Sequence, residues 1–426
     1  MRMFSPDHKA VLDVLECMEN LNIHDVCAKE IWSADKTHME NGCMASKTTK
    51  VCILRSNPVK PDSRVEKEAW ALAKAGYDVH ILGWERDSDI PEDHDFVEVA
   101  NKKIPITRLG HTATYGEGMK NLRAYLAFQF HMRQWLKRHN FDIVHACDFH
   151  TAFFSIGVAK RKSAKFVFDI FDFLYGEPKS LLQKIVKKAQ LMIIDRADAT
   201  LICTEERRNQ IAGSTPKKLA VIHNTPSAAQ FKQCERKTKQ TERAKLVYVG
   251  VFPNTRLLKE IAEAVSELPH VELHIGGFGR LETFFKDMAG RFDNIFYYGR
   301  LSYDQTLSLE TECDIMLAAY DPSIENYRYA APNKFYESLM LGKPLIMARG
   351  TGMTEIVEAN AIGELIEFSK EGFIDGVNRL IARKDEWPLM GNRMKEIYRN
   401  QYCWDEMEKR LIQLYTDLQN EENTDR

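Results

Sequence analysis

The segment from Tyr329 to Met347, which reads YAAPNKFYESLMLGKPLIM, constrains the fold more than any other part of the chain. Pro332 and Asn333 predict a turn and a helix cap, and apolar residues then recur at helical spacing. Gly342 ends the predicted helix, because glycine readily takes the left-handed conformation that closes helices. The apolar residues from Leu345 to Ala348 then predict a buried strand. A helix that leads through a glycine into a buried strand is typical of an α/β fold.

Two charged residues, Lys334 and Glu337, give this helix a chemical interpretation as well as a structural one. The unpaired amide groups and the positive dipole end at a helix N-terminus suit a phosphate. Lys334 lies in the first turn, and the carboxylate of Glu337, one turn further on, can accept hydrogen bonds from sugar hydroxyls. An ordinary amphipathic helix with one exposed glutamate explains the same residues, so the local chemistry leaves both interpretations open.

Length and composition indicate a soluble globular protein. At 426 residues the chain is long for one core and sufficient for two α/β domains. A formal net charge of -2 argues against a nucleic-acid partner. The nine cysteines include no CxxC pair, which indicates a reducing compartment and argues against a zinc site. We find neither a signal peptide nor an apolar run long enough to span a bilayer, so we expect a cytoplasmic enzyme.

A family resemblance rests on the segment PNKFYESLMLGKPLI and on the later segment GTGMTEIVEANAIGELIEF. Both resemble the donor site of the GT-B glycosyltransferases of family 4. The resemblance implies an α/β fold of GT-B type, in which two Rossmann-like domains face a central cleft. It also implies that Glu337 holds the ribose of a nucleotide-sugar donor. Many members carry a second glutamate eight positions earlier, where this chain has Tyr329, so a contact to the donor sugar is not implied.

The same resemblance covers most of the chain and divides it into domains. We expect an N-terminal extension at 1–47, an acceptor domain at 48–228, a linker at 229–245 and a donor domain at 246–400. Residues 401–426 are expected to form a helix that returns to the first domain, followed by a tail. The extension does not match the family core. A helix packed on the first domain is its simpler interpretation, and a regulatory or oligomerising arm is the alternative.

The donor diphosphate site is predicted from the segment KLVYVGVFPNTRLLKEIAEAV, which resembles a strand, glycine turn and helix of the family. By this resemblance Gly250 lets the backbone approach the diphosphate and Arg256 supplies a positive charge, whereas Val251 replaces a frequent arginine. Gly277 lies in a glycine-rich loop after a strand, and Arg300 is expected to border the nucleotide base. The predicted donor-binding residues are Gly250, Arg256, Gly277, Arg300, Asn333, Lys334 and Glu337.

The acceptor side is predicted at the end of the strand in FDIVHACDFH. Ligands collect at the carboxyl ends of strands in open α/β sheets. Asp148 and His150 are the predicted catalytic residues, and Cys147 stands where the family often has a histidine. Arg64, at the start of the first predicted helix, could meet a phosphate or an acidic acceptor. A solvated charge is the simpler interpretation of Arg64.

An amphipathic helix is predicted for the segment KSLLQKIVKKAQLMIIDR. Three lysines, Lys184, Lys187 and Lys188, group on one face. The predicted apolar face consists of Leu181, Leu182, Ile185, Val186, Ala189 and Met192. Such a helix can lie on an anionic membrane, which would place the enzyme peripherally at the inner face of the cell membrane. Alternatively, the apolar face packs in the core and the lysines are solvated.

The resemblance implies a retaining transferase that moves a sugar from a nucleotide-sugar donor to a glycan or lipid-linked acceptor, in cell-surface polysaccharide synthesis. The diphosphate would be held by a helix N-terminus and Arg256, so we expect no metal and no cofactor. Asp87 and Asp89 form a D-x-D pattern, but they lie in a charged loop. The departures at Tyr329, Cys147 and Val251 leave an alternative, a catalytically weak GT-B protein that binds a nucleotide sugar or scaffolds a partner. A sugar-nucleotide epimerase on the same fold is disfavoured by PNKFYE.

Overall fold

The structure is a computed structural model, and it describes residues 48–99, 102–114, 121–227 and 242–424. The predicted extension at 1–47 and most of the predicted linker at 229–245 lie outside these ranges. The described chain forms two compact units. The first contains the described residues up to Ile202, Asn209–Val221 and those from Arg410 onward, and the second contains Cys203–Arg208 and Ile222–Lys409. The exact domain boundaries stay predictions.

The first unit is built on one eight-stranded sheet. Its strands are β1 (Lys50–Leu54), β2 (Asp78–Glu85), β3 (Asp93–Val99), β4 (Lys102–Gly110), β5 (Ile143–Cys147), β6 (Lys165–Ile170), β7 (Ala199–Ile202) and β8 (Leu219–Val221). They lie in the order β3-β4-β2-β1-β5-β6-β7-β8, and only the β3–β4 pair is antiparallel. Central strands such as β1 and β5 are buried on both faces, which explains why they are largely apolar apart from His145 in β5.

Four longer helices cover this sheet. They are α1 (Ser63–Lys74), α2 (Leu122–Arg138), α3 (Asp148–Arg161) and α4 (Leu181–Arg196). Asp62 and Ser180 cap α1 and α4 by accepting hydrogen bonds from first-turn amides. Helices α2, α3 and α4 share one hydrophobic core, and α3 contacts both of the others. These three helices therefore form one layer. A short helix, α5 (Arg207–Gln210), follows β7.

The second unit is built on one six-stranded parallel sheet. Its strands are β9 (Ala244–Phe252), β10 (Val271–Gly279), β11 (Ile295–Tyr297), β12 (Ile315–Ala318), β13 (Leu345–Ala348) and β14 (Gly363–Ile366). Their order is β11-β10-β9-β12-β13-β14. Because β9 and β12 are neighbours while β10 and β11 lie on the other side of β9, the strand order reverses beside β9. Ligands bind at such switch points in open α/β sheets.

The helices of the second unit are α6 (Leu258–Ser266), α7 (Glu282–Arg291), α8 (Tyr303–Glu312), α9 (Asn333–Leu341), α10 (Thr354–Ala359), α11 (Lys370–Ala382) and α12 (Trp387–Ile397). Short 3-10 turns lie at Glu325–Arg328 and Lys384–Glu386, and a π-helical turn lies at Tyr398–Tyr402. The last helix, α13, spans Trp404–Thr424.

The segment that most constrained the sequence analysis folds as predicted. Helix α9 ends at Gly342, whose φ of 70° is the left-handed value expected for a glycine cap, and β13 begins three residues later. The predicted α/β class with two Rossmann-like sheets is also confirmed. Among the described residues, no helix is both long enough and apolar enough to cross a bilayer.

Candidate active site

The N-terminus of α9 is the starting point of the predicted donor site. Pro332 occupies the cap position and provides no side-chain hydrogen bond, although its carbonyl accepts from the N–H of Phe335 at 2.9 Å. The amides of Asn333 and Lys334 at this helix end remain suited to an external acceptor. Asn333 is exposed at this end, and its Oδ1 accepts a hydrogen bond from Nδ2 of Asn224 at 3.2 Å. In contrast, Lys334 and Glu337 are 7% and 4% exposed. Of the two interpretations that the sequence left open, the one with an exposed glutamate on an ordinary helix is therefore wrong.

Two predicted glycines lie at the ends of β9 and β10, where the strands run side by side. Gly250 and Gly277 are paired residues with φ of 154° and 137°, values that favour glycine. A Cβ on Gly277 would lie 1.8 Å from the carbonyl oxygen of Gly250, so no side chain fits there. At Gly250 a Cβ would lie 3.4 Å from Nζ of Lys334. The backbone of Gly250 thus lies directly beside the ammonium group of Lys334.

The two predicted cations, Arg256 and Lys334, contact the same tyrosine. Nη1 of Arg256 donates to the hydroxyl of Tyr248 at 2.9 Å, and Nζ of Lys334 lies 4.7 Å from the centroid of its ring. Lys334 also donates to the carbonyl of Val249. Among the described residues, neither cation forms an ion pair with a carboxylate. Although burial acts to lower the pKa of Lys334, the nearby carboxyl group of Glu337 raises it, which favours the charged form. Both cations can therefore pair with an anion such as a diphosphate.

A carboxyl group that the sequence analysis did not identify lies behind this site. Glu310, on α8, is fully buried, and neither of its carboxyl oxygens has a hydrogen-bond partner in the part of the chain that the structure describes. Burial, and secondarily the carboxylate of Glu337, raise the pKa of Glu310 well above its usual value, although Lys334 lowers it. The burial of Glu310 therefore favours its protonated form.

Arg300, the residue predicted to border the base, lies on the same sheet edge as Gly277. It follows β11, and its guanidinium carbon lies 4.7 Å from the ring centroid of Phe278, which is 41% exposed. Arg300 therefore lies beside the end of β10 that carries Gly277 and Phe278. Of the predicted donor residues, Gly250, Arg256 and Lys334 lie around Tyr248, and Asn333 and Glu337 share α9 with Lys334.

The predicted catalytic residue Asp148 follows β5 and has a φ of 65°. Its Oδ1 accepts hydrogen bonds from the backbone N–H groups of Phe171 and Asp172 at 3.0 and 3.1 Å, and its Oδ2 pairs with Arg55. Both oxygens are engaged, so the carboxylate fixes the loop that follows β6. Sequence reasoning did not identify Arg55, because its partner lies 93 positions away.

His150, the second predicted catalytic residue, is only 7% exposed in the first turn of α3. One of its ring nitrogens, Nδ1, lies 3.3 Å from the hydroxyl of the buried Tyr125. These contacts give His150 a packing role within the first unit. The catalytic assignment of Asp148 and His150 stays a prediction.

A buried charge network lies beneath these two residues. Nη2 of Arg64 contacts Asp169 at 2.8 Å and Nε contacts Glu68 at 3.0 Å, while Nδ1 of His145 lies 2.7 Å from the hydroxyl of Tyr415. Arg64 is 3% exposed, so its interpretation as a solvated charge is wrong. It is buried because two buried carboxyl groups provide partners for its guanidinium.

One part of this network has the spacing of a metal site. His145, Cys147 and Asp169 each place a ligand atom within 4.8 Å of the others. However, the guanidinium of Arg64 already pairs with Asp169. We therefore interpret the cluster as an ion-pair network.

The outer face of the α2, α3 and α4 layer is apolar and basic. Its exposed large apolar side chains are Leu126 and Phe130 on α2 and Leu181, Ile185 and Met192 on α4. The three helices contain two acidic residues, Asp148 and Asp195. They contain ten basic residues, Arg123, Arg133, Lys137, Arg138, Lys160, Arg161, Lys184, Lys187, Lys188 and Arg196. We call this face the basic helical surface.

The faces of α4 differ from the prediction. The core receives Leu182 and Val186, whereas Leu181 and Ile185 are 70% and 44% exposed. Lys184 is exposed between them. Half of the predicted apolar face is therefore on the outside, together with lysines, because the helix turns only a narrow stripe toward the sheet.

Two family models match the chain, and together they cover most of it. The model described as Glycosyltransferase Family 4 matches residues 63–225, and the one described as Glycosyl transferases group 1 matches residues 230–401. A comparison with curated proteins gives no match.

Three solved structures resemble the chain over most of its length. A sucrose-phosphate synthase from Thermosynechococcus elongatus has a TM-score of 0.69 and 14% identity, covering 87% of this chain and 99% of its own. HepE from Anabaena, in complex with UDP-glucose, has a TM-score of 0.63 and 12% identity, with coverages of 86% and 99%. An α,α-trehalose 6-phosphate synthase from Burkholderia multivorans has a TM-score of 0.65 and 12% identity, with coverages of 89% and 99%. At these identities the similarity shows a common fold.

Proposed function

The chain belongs to family 4 of the GT-B glycosyltransferases, and from this premise we propose that it is a retaining enzyme acting on a nucleotide diphosphate sugar. The acceptor would be a glycan or a lipid-linked saccharide, in cell-surface polysaccharide synthesis. One observation carries the donor assignment: Arg256 and Lys334 are held beside Gly250 without a carboxylate partner among the described residues. Two such cations suit the two phosphates of a donor.

The proposed reaction needs charge stabilisation more than a strong base. The bond between the anomeric carbon and the diphosphate oxygen breaks, and the acceptor oxygen bonds to the same face of the sugar. The acceptor proton passes to an oxygen of the leaving diphosphate. Arg256, Lys334 and the first-turn amides of α9 would stabilise the negative charge that develops on that leaving group. This arrangement would operate without a metal or other cofactor.

Glu337 would bind the ribose of the donor in this proposal. HepE has been solved with UDP and with UDP-glucose, which makes UDP the first nucleotide to test here. We define the preferred nucleotide as whichever of UDP, GDP and ADP the wild-type protein binds most tightly by calorimetry.

The alternative is a protein that binds a nucleotide sugar without transferring it. It is motivated by Tyr329, which stands where many family members have a glutamate and whose carbonyl accepts a hydrogen bond from Thr204 at 2.8 Å. A panel of nucleotide sugars, incubated with polyprenyl-linked saccharides, separates the two functions. Release of nucleoside diphosphate that depends on the acceptor supports transfer. Tight nucleotide binding with no release, with or without acceptor, would support the alternative.

We further propose that the basic helical surface binds an anionic membrane. Exposed Leu181 and Ile185 would insert while Lys184 and Lys188 contact acidic headgroups. Each basic residue contributes about 1 kcal/mol at an anionic surface, so several together give reversible binding. This position would bring the enzyme to a lipid-linked acceptor.

Vesicle sedimentation tests the membrane proposal. Exchanging Lys184 and Lys188 for glutamate should abolish binding to anionic vesicles, and Leu181→Ser with Ile185→Ser should remove the component that persists in high salt. The matched control is Leu389→Ser, which removes a side chain that is 63% exposed in the second unit. Equal binding by all variants, or no binding by the wild-type protein at low salt, would contradict the proposal.

A further inference from the structure

Tyr248 lies between the two cations of the donor site and is 1% exposed. Its hydroxyl proton is committed, because the hydroxyl donates to the carbonyl of Val251 at 2.7 Å. A lone pair of the same oxygen therefore faces Arg256, whose Nη1 donates to it at 2.9 Å. The ring face attracts Lys334, whose Nζ lies 4.7 Å from the centroid. One neutral side chain thus holds both cations.

The surroundings of Arg256 support a role in anion binding. Its guanidinium carbon lies 4.1 Å from the ring centroid of Tyr320, so one face of the group packs on an aromatic ring. The Nε–H of Arg256 is buried and has no hydrogen-bond partner within the described ranges. A buried donor without a partner is costly unless a ligand satisfies it. The guanidinium is thus held between Tyr248 and Tyr320, and its buried Nε–H is unsatisfied by the described residues.

A tyrosine at this position can hold the two cations without neutralising their charge. A carboxylate would also hold the two cations, but it would neutralise them and compete with phosphate. A phenol oxygen and a ring face position the cations while leaving their net charge intact. The strand geometry explains why this residue is suited to the task. Residues two apart on a strand face the same side, so Tyr248 and position 250 share a side, and a Cβ on Gly250 would lie 3.5 Å from the Tyr248 hydroxyl.

We propose that Tyr248 is a positioning residue that orients Arg256 and Lys334 toward the two phosphates of the donor. This inference rests on the proposed function and adds a determinant of diphosphate affinity. The contact to Tyr248 uses the backbone carbonyl of Val251, which a residue of any type at that position would provide.

The test compares Tyr248→Phe, Arg256→Ala and the double variant by calorimetry. Each is titrated with the preferred nucleotide and with the corresponding nucleoside, which lacks the phosphates. Loss of the hydroxyl removes a hydrogen bond to a charged group, so Tyr248→Phe should weaken the diphosphate by roughly tenfold. The nucleoside affinity should not change. Since Tyr248 acts through Arg256, the double variant should bind the diphosphate no more weakly than Arg256→Ala alone.

A matched control is Tyr415→Phe, which removes a buried hydroxyl that is 2.7 Å from Nδ1 of His145 in the first unit. It should leave both affinities unchanged, whatever it does to the melting temperature. Equal loss of diphosphate and nucleoside affinity in Tyr248→Phe, or additive losses in the double variant, would overturn the positioning role alone. If Arg256→Ala affects both ligands equally, or if no nucleotide binds to the wild-type protein, the proposed donor site itself is wrong.

Discussion

Glu337→Gln should weaken nucleotide binding without lowering the stability of the protein, because it removes a charge and keeps the shape of the side chain. Glu337 is 4% exposed in α9, so any group it binds at the ribose is largely shielded from water. A hydrogen bond that involves a charged group contributes about 1.5–3 kcal/mol. Since about 1.4 kcal/mol corresponds to tenfold in affinity, we expect the dissociation constant of the preferred nucleotide to rise roughly 10- to 140-fold.

The stability of this variant should be retained, because Glu310 lies close enough for the Glu337 carboxylate to raise its pKa. The neutral amide ends the repulsion that opposes ionisation of Glu310 and also loses the attraction between Glu337 and Lys334, so the two effects on stability offset each other. Calorimetry gives the affinity and thermal unfolding gives the melting temperature. The matched control is Glu310→Gln, a change of the same chemistry at a fully buried position, which should bind the nucleotide like the wild type. A nucleotide affinity unchanged by Glu337→Gln, in a folded protein, would refute the ribose contact.

Three further predictions concern the same unit. Gly277→Ala should lower both the melting temperature and the nucleotide affinity, because the added Cβ would lie 1.8 Å from the carbonyl oxygen of Gly250. The control Gly290→Ala, in a helix and with no atom within 4 Å of the added Cβ, should lower neither. Equal effects of the two changes would contradict the steric argument. Because burial raises the pKa of Glu310 above 4.5, the folded state binds its proton more tightly than the unfolded state, and stability is lost as pH rises through the raised pKa. The stability of Glu310→Gln relative to wild type should therefore increase as the pH rises above about 5 in urea unfolding, and a constant difference would refute this. Transfer activity should persist in EDTA. Loss of activity in EDTA with recovery in manganese or magnesium would contradict a metal-free site and would make Asp87 and Asp89 candidate metal ligands.

The elements of the donor unit could be predicted from sequence because their signals are local. Gly342 closes α9 through its own backbone preference, and the apolar run after it forms β13 without requiring distant partners for its identification. The glycines at 250 and 277 also have local signals, since each interrupts a strand pattern. Their close approach to each other is a property of the sheet, because the pairing of β9 with β10 brings the two together.

Side-chain environments depended on distant partners and were predicted less well. Arg64 was expected in solvent, but it is buried because Asp169, 105 positions away, lies opposite it. Glu310 gave no sequence signal, since one acidic residue in an amphipathic helix is ordinarily exposed. Tyr248 did have a signal, its position two residues before Gly250 on the same strand side, which would have identified it as a neighbour of the diphosphate site.

The faces of α4 show a different limit. Helical periodicity predicts an apolar stripe, but it does not determine how wide a stripe the sheet covers. Leu182 and Val186 are in the core, whereas Leu181 and Ile185 are outside it, although all four belong to the same predicted face. The width depends on how α4 rests beside α3, which is tertiary information.

The anomeric configuration of the product tests the central claim most directly. The wild-type protein is incubated with the nucleotide sugar that supports nucleotide release and with a polyprenyl-linked saccharide, and the new linkage is read by proton NMR. The predicted result is transfer that keeps the configuration of the donor, with less product formed by Glu337→Gln at a donor concentration that does not saturate the enzyme. A product of inverted configuration would contradict the retaining mechanism, and nucleotide binding without any new linkage would contradict the assignment as a working transferase.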